Sequence, residues 1–367
     1  MRSAVVLGGY GNFGKRIVAA LAADRFHRVV VAGRDFQQAS AVADSVGFPA
    51  EPVALDLRAA NLAAELRWLD AGVVVHAAGP FQGQDYAVAR ACIEAGCHYV
   101  DLADARAYVC GIGALDEAAK RSDALVVSGA SSVPALSSAV IDFLRPEFAR
   151  LDSIEHGITS GAKPPGLAAM EGVLGYVGKP IKQWRGGQWR TVYGWQDAAR
   201  HRYPYPIGAR WLGNCDVPDL ELFPQRYAPV RTVTFRAGVA MSMSMLTTWG
   251  VSWLVRAGMM KSLTPHATRL RNIALAVERF GSKSSGMHVT LRGLDAKSQP
   301  MSRTWWLVAG NDHGPQVPCF PAIALARKLL RGEVRARGAM PCVGLLSVDE
   351  ILGVGRDLDL RTEVARL

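Results

Sequence analysis

The chain has 367 residues, half of them hydrophobic and a fifth charged, with ordinary amounts of Gly and Pro. That excludes a disordered chain, a collagen-like repeat and a coiled coil, and the length suits two domains. The net charge of +10 is unevenly placed: residues 1–150 carry −2, residues 151–367 carry +12, and Lys179–Arg303 alone carries +13. A basic module gathers anions, whether small carboxylates, phosphates, nucleic acid or an acidic membrane. Six dispersed cysteines without a C-x-x-C pair give neither a zinc site nor a disulfide framework, so no metal and a reduced, cytoplasmic location are expected. Glycines at 8, 9 and 11 interrupt the first apolar run, which does not read as a secretory signal.

The first 130 residues alternate apolar runs with amphipathic stretches. Strands are expected at Ala4–Leu7, Val29–Ala32, Pro52–Leu55, Val73–Ala77, Tyr99–Leu102 and Leu125–Ser128. Helices are expected at Lys15–Ala23, Tyr86–Ala95 and Leu115–Arg121. Continuous apolar strands between amphipathic helices mean a parallel sheet covered on both faces, and right-handed crossovers make it doubly wound. Beyond Val133 the rhythm changes, and residues 151–330 hold eight of the nine tryptophans. Strands at Ser153–Thr159, Val230–Phe235, Met287–Arg292 and Thr304–Ala309, with helices at Ala168–Tyr176 and Thr264–Arg279, suggest an α+β module. Pro321–Leu330 reads as a helix opened by Pro321. Ala237–Val255 is nineteen residues without a charge, bounded by Arg236 and Arg256. Its two glycines, three serines and two threonines favour a buried or interfacial helix over a membrane span.

Gly9-Tyr10-Gly11-Asn12-Phe13-Gly14 follows a strand and opens a helix. Such a turn admits a pyrophosphate to the backbone and offers it the helix N-terminus. Gly9 is expected to make the tight turn. Arg34, at the end of the second strand, stands where an NAD site places a carboxylate, and a guanidinium there suits the 2′-phosphate of NADP. Asp35 follows it and keeps NAD open as the alternative. Asp56 is expected to close the third strand, to accept from the adenine amino group or to cap the next helix. Ala78-Gly79-Pro80 follows the fourth strand at the edge where ligands bind. His76 reads as a core histidine, and His156, Lys163 and His288, isolated polar residues in candidate strands or loops, read as structural rather than catalytic. The aromatic and arginine-rich run from Trp184 to Trp211 reads as a hairpin packing its domain core, with an anion pocket as the alternative.

Three blocks carry a resemblance: Val5-Val6-Leu7-Gly8-Gly9-Tyr10-Gly11-Asn12-Phe13-Gly14; Ala77-Ala78-Gly79-Pro80-Phe81; and Ala91-Cys92-Ile93-Glu94-Ala95-Gly96-Cys97-His98-Tyr99-Val100-Asp101. Together they resemble the saccharopine dehydrogenase-like family of NAD(P)-dependent oxidoreductases over residues 1–135, and loosely over 321–343. The resemblance implies a Rossmann domain at 1–132, an inserted α+β substrate and dimerisation domain at 133–320, and C-terminal helices at 321–367 returning to the first domain. It implies hydride transfer to or from a C–N or C=C bond. Leu102-Ala103-Asp104-Ala105-Arg106 departs from the enoyl reductase branch, and Ser128-Gly129-Ala130-Ser131-Ser132-Val133-Pro134 from the opine-type branch. Asp101 is the candidate for proton transfer, with helix capping as its other reading, and Ser131 joins the cofactor-facing loops. The expected partners are a small anionic substrate and a second copy in a homodimer, without nucleic acid. A silent NADP-binding scaffold and a peripheral-membrane reductase are the rival functions.

Overall fold

The computed structural model describes residues 2–366 except 26, 162 and 165. The chain divides into two compact units, Met1–Leu136 with Gln316–Gly355, and Ser137–Pro315 with Arg356–Leu367.

In the first unit the six expected strands form, with ends moved by one or two residues. They are β1 (Ser3–Leu7), β2 (Val29–Gly33), β3 (Ala50–Ala54), β4 (Ala71–His76), β5 (His98–Asp101) and β6 (Leu125–Ser128). A seventh strand, Gly338–Pro341, pairs in parallel with β6. All pairings are parallel, in the order seventh–β6–β5–β4–β1–β2–β3. The chain reverses direction of growth between β1 and β4, the switch point where such sheets open a ligand crevice. Every residue of β1, β2 and β4 is buried, which is why these runs read as continuous Val and Ala rather than alternating. Helix Gly14–Ala23 buries Ile17, Val18 and Leu21 as its spacing demands. Helix Phe320–Leu330 is almost wholly buried, starts one residue before Pro321, and joins Asp24 through a two-pronged contact from Arg327, 2.7 and 2.9 Å. Helices Phe36–Val46, Leu62–Trp68 and Arg106–Gly111 were not legible in the sequence pattern.

The second unit is a mixed sheet. Its strands are β7 (Arg150–Ser160), β8 (Pro180–Arg185), β9 (Gln188–Tyr193), β10 (Ala199–Arg202), β11 (Ala209–Asn214), β12 (Thr232–Val239), β13 (Ser285–Leu294) and β14 (Pro300–Ala309). Counting the Gly338–Pro341 strand as β15, the last is β16 (Leu360–Arg366). The order is β10–β11–β12–β7–β13–β14–β16, with β8 and β9 branching from β12. Only β12 and β7 run parallel among the described pairs. The tail therefore divides. Gln316–Gly355 completes the first unit, but the expected return of 321–367 as a whole fails at Arg356, because β16 pairs along β14.

Candidate cofactor site and buried carboxyl

The turn after β1 works differently from its sequence reading. Gly8, not Gly9, takes the left-handed conformation, with φ +75°. Gly8 packs directly on Ala78, so β1 and β4 end back to back at the switch point. A Cβ on Gly14 would overlap the Gly8 carbonyl oxygen, so the helix can start this close to the turn only with glycine there. No side chain caps the helix and no acidic residue stands in its first turn. The Lys15, Arg16 and Ile17 amides bond to the Gly11 and Phe13 carbonyls, so what the helix start offers an anion is its partial positive charge and the backbone of the turn before it. Asn12 is held by Arg16, whose guanidinium donates to the Asn12 side-chain oxygen at 2.7 Å. Phe13 precedes the helix as its boundary residue.

At the end of β2, Arg34 and Asp35 have different surroundings. Asp35 is the N-cap of helix Phe36–Val46: Oδ1 accepts from the Gln38 N–H at 3.1 Å and Oδ2 from the Gln38 side chain at 2.7 Å. These bonds pull its carboxyl below the usual range. Arg34 is exposed and makes no ion pair among the described residues, and Tyr10, Arg34, Asp35, Phe36, Gln37 and Gln38 line one cleft. The Tyr10 hydroxyl accepts from the Asp35 N–H at 3.3 Å, and its ring lies against Gly33, where a Cβ would collide with it. Asp56 lies outside this cleft. It sits exposed beyond β3 and binds the Arg58 N–H at 3.0 Å, while the next helix starts at Leu62, so it neither closes the strand nor caps a helix.

The loop after β4 keeps Gly79 half-buried and Pro80 exposed. Its clamp is not legible in the motif: the Gln84 amide donates to the Ala78 and Pro80 carbonyls at 3.0 and 2.6 Å. His76, which ends β4, is fully buried, and burial drives its pKa down to about 4. It is a neutral core histidine whose Nδ1 meets the Tyr99 hydroxyl at 3.0 Å, and that hydroxyl meets Tyr108 at 3.1 Å.

Asp101 ends β5 beside His76 in register and is fully buried. Its Oδ1 accepts from Gly129 N at 2.8 Å, Ala103 N at 2.9 Å and Ser128 Oγ at 3.0 Å. Among the described residues its Oδ2 meets no donor in good hydrogen-bond geometry, although the Tyr99 hydroxyl also favours the charged carboxylate. Burial raises the carboxyl to about 6, against the donors, which pull it down. The helix-cap reading is corrected, since the next helix starts at Arg106 with Ala105 at its boundary. Asp101 instead staples the end of β5 to the loop after β6. Ser131 lies in that loop, buried, its N–H bonded to the Gly129 carbonyl at 2.8 Å. The structure thus gathers Tyr10, Arg34 and Asp35 in one cleft, joins Gly8 to Ala78, and ties Asp101 to the Ser128–Ser131 loop.

Residues 4–128 match the family described as the saccharopine dehydrogenase NADP-binding domain. They are a domain of that family. Across its full length the chain shares the fold of apo saccharopine dehydrogenase (L-Glu forming) from Saccharomyces cerevisiae, with a TM-score of 0.70, 15% identity and 100% of each chain covered. It also shares the fold of homospermidine synthase from Legionella pneumophila, solved with NAD, at a TM-score of 0.62 and 9% identity over 100% of this chain and 91% of that one. No curated protein sequence matches it. The chain thus carries a saccharopine dehydrogenase-type NADP-binding domain over residues 4–128, and as a whole it shares the fold of a Rossmann sheet with a second, mixed-sheet unit.

The second unit carries polar groups that periodicity could not find. Asn214, Arg236, Gly157, His288 and Trp306 stand in one lateral row across β11, β12, β7, β13 and β14. Arg236 Nε is buried and unpartnered. His288 stacks on His201, ring centroids 3.6 Å apart, and its Nδ1 meets the Tyr203 hydroxyl at 2.9 Å. The Trp306 indole donates to His201 Nε2 at 2.9 Å, which requires that nitrogen to be unprotonated. Burial lowers His201 to about 4, and burial, with His201, His156 and Arg236 nearby, holds His288 well below the usual imidazole range. His156 Nε2 meets Asp219 Oδ1 at 2.9 Å, and Ser137 Oγ donates to the same oxygen at 2.5 Å, all buried. The Trp184–Trp211 run does not form one box: Trp195 and Tyr203 are buried, while Trp189 and Tyr205 face solvent.

Proposed function

We propose that this protein is an NADP-dependent oxidoreductase that moves hydride to or from a small anionic substrate at a C–N or C=C bond. The observation that carries the cofactor choice is the division of labour at the end of β2. The Asp35 carboxylate is spent on the helix cap, and Arg34 is exposed, without an ion pair among the described residues, and beside Tyr10 in the cleft. A carboxylate engaged in this way offers little to a ribose hydroxyl, whereas a free guanidinium suits a phosphate.

The bound nicotinamide would supply the hydride chemistry. The chain's own residues do the rest. The uncapped start of helix Gly14–Ala23 neutralises the pyrophosphate, and Arg34 holds the 2′-phosphate. Gln84 fixes the loop of Ala78, Gly79 and Pro80. Asp101, with one oxygen held by three donors and the other without a donor in good geometry among the described residues, is poised to hold a proton near neutral pH. The anionic substrate is supported by the +13 of Lys179–Arg303 and by the unpartnered Arg236 Nε in its row.

Fluorescence titration of NADPH and NADH against the intact protein tests the cofactor reading. NADPH should bind roughly ten- to hundredfold more tightly, the worth of a charge-assisted contact. Equal affinities would overturn it.

A further inference from the structure

Helix Ser242–Arg256 stands on the second unit by a narrow inner edge, where Met245, Ser252 and Val255 are buried. Met245 enters a small core with Leu174, Val177, Trp195 and Ala267, against which Leu263 and Leu270 pack. That core therefore mounts the following helix, Ala267–Val277, as well.

The outer face is unlike an ordinary surface helix. Met243 is 74% exposed and Trp253 46%, with Leu246, Trp249 and Leu254 exposed beside them and Met259 just beyond at 78%. No charged residue occurs in the helix before Arg256. A helix face open to water is normally charged or polar. Along this apolar ridge, charge enters only at the last residue of the helix and in the chain that follows it. From Ser242 to Lys283 the chain has Arg256, Lys261, Arg269, Arg271, Arg279 and Lys283 against a single acid, Glu278. Arg256 is held at the ridge, its guanidinium 3.9 Å from the centre of the Tyr193 ring and 5.0 Å from that of Trp253, and it donates to Gln196 at 2.8 Å.

We propose that this face docks on an anionic lipid surface, the apolar ridge entering the headgroup layer and the basic residues meeting the phosphates. Exposed Trp, Leu and Met on one side, followed by Lys and Arg, is the composition of a helix that lies in a membrane interface. The helix lies on the bilayer rather than through it: among the described residues no helix is long and apolar enough to cross one. Charge decides against the other occupant, a second copy. A two-fold dimer through this face would set two segments of the same net positive charge against each other. An acidic surface turns that repulsion into attraction.

Flotation of the full chain with vesicles tests this. Vesicles of phosphatidylcholine with roughly a third phosphatidylglycerol should carry the protein to the top, and pure phosphatidylcholine should leave it behind. Trp249→Gln with Trp253→Gln should cut the bound fraction at least tenfold, with NADPH affinity and melting temperature unchanged, since both rings are exposed. Raised salt should release the unmutated protein. Failure to float with acidic vesicles, or equal flotation with neutral ones, would overturn the proposal. So would a dimer in solution that the double variant dissociates, because the face would then belong to a second copy.

Discussion

Replacing Asp101 by Asn tests the electrostatics at the end of β5. The carboxyl rises from an ordinary 3.8 to about 6 because it is fully buried, although three donors favour its charged form. A folded-state pKa above the unfolded one means that the native state holds the extra proton between those values. Stability from this group is present below about pH 4 and is lost as pH rises through 6. At 1.36 kcal/mol per unit the loss is about 3 kcal/mol. His76, His98 and His201, lowered to about 4 by burial, pull the other way, since their neutral forms stabilise the fold above pH 6.5 and lose that as pH falls. The useful quantity is therefore the difference between Asp101→Asn and the unmutated protein, in which the histidines cancel. The amide keeps an oxygen for Gly129, Ala103 and Ser128, and any cost of its unpartnered NH₂ does not depend on pH. Thermal melts at about pH 4.5 and about pH 7.5 should show the unmutated protein gaining on the variant at the lower pH. Between these two pH values the unfolded carboxyl is already mostly ionised, so the readable part of that loss is about 2 kcal/mol, or roughly 4–8 °C for a unit of this size. A gap that is the same at both pH values, or that moves in the opposite direction, would show that the three donors outweigh burial, and the proton-holding role would fall with it.

Arg34→Ala should cost NADPH roughly ten- to hundredfold in affinity and leave NADH nearly unchanged, read by titration of both. Asp35→Ala should lower helix stability by about 1 kcal/mol through loss of the cap, visible as a lower melting temperature with the NADPH preference intact. Gly14→Ala should abolish binding of both dinucleotides, because the added methyl meets the Gly8 backbone and must push the helix start away; unchanged affinity would show the turn is not the phosphate site. Substrate KM should rise with salt while NADPH stays saturating if the basic second unit gathers an anion, and a flat response would remove that reading.

The N-terminal half was legible because its determinants are local. Val and Ala runs buried on both faces mark parallel strands, and a glycine turn between strand and helix marks a phosphate site, whatever the rest of the chain does. The same locality explains the near misses. Which glycine turns left-handed depends on Ala78 packing against Gly8, seventy residues away. Whether Asp35 meets a ribose or a helix depends on the next helix, whose pattern was too weak to read. Asp101 could be singled out from its neighbours in sequence. Its role as a staple to Ser128 and Gly129, and the burial that lifts its carboxyl, exist only once β5 and β6 lie side by side. In the second unit, the row from Asn214 to Trp306 joins five strands spread over about 150 residues of sequence. Strand register sets the unpartnered Arg236 and His288 in that row, while His201 reaches His288 from β10 outside it, and no periodicity within a single segment encodes either placement.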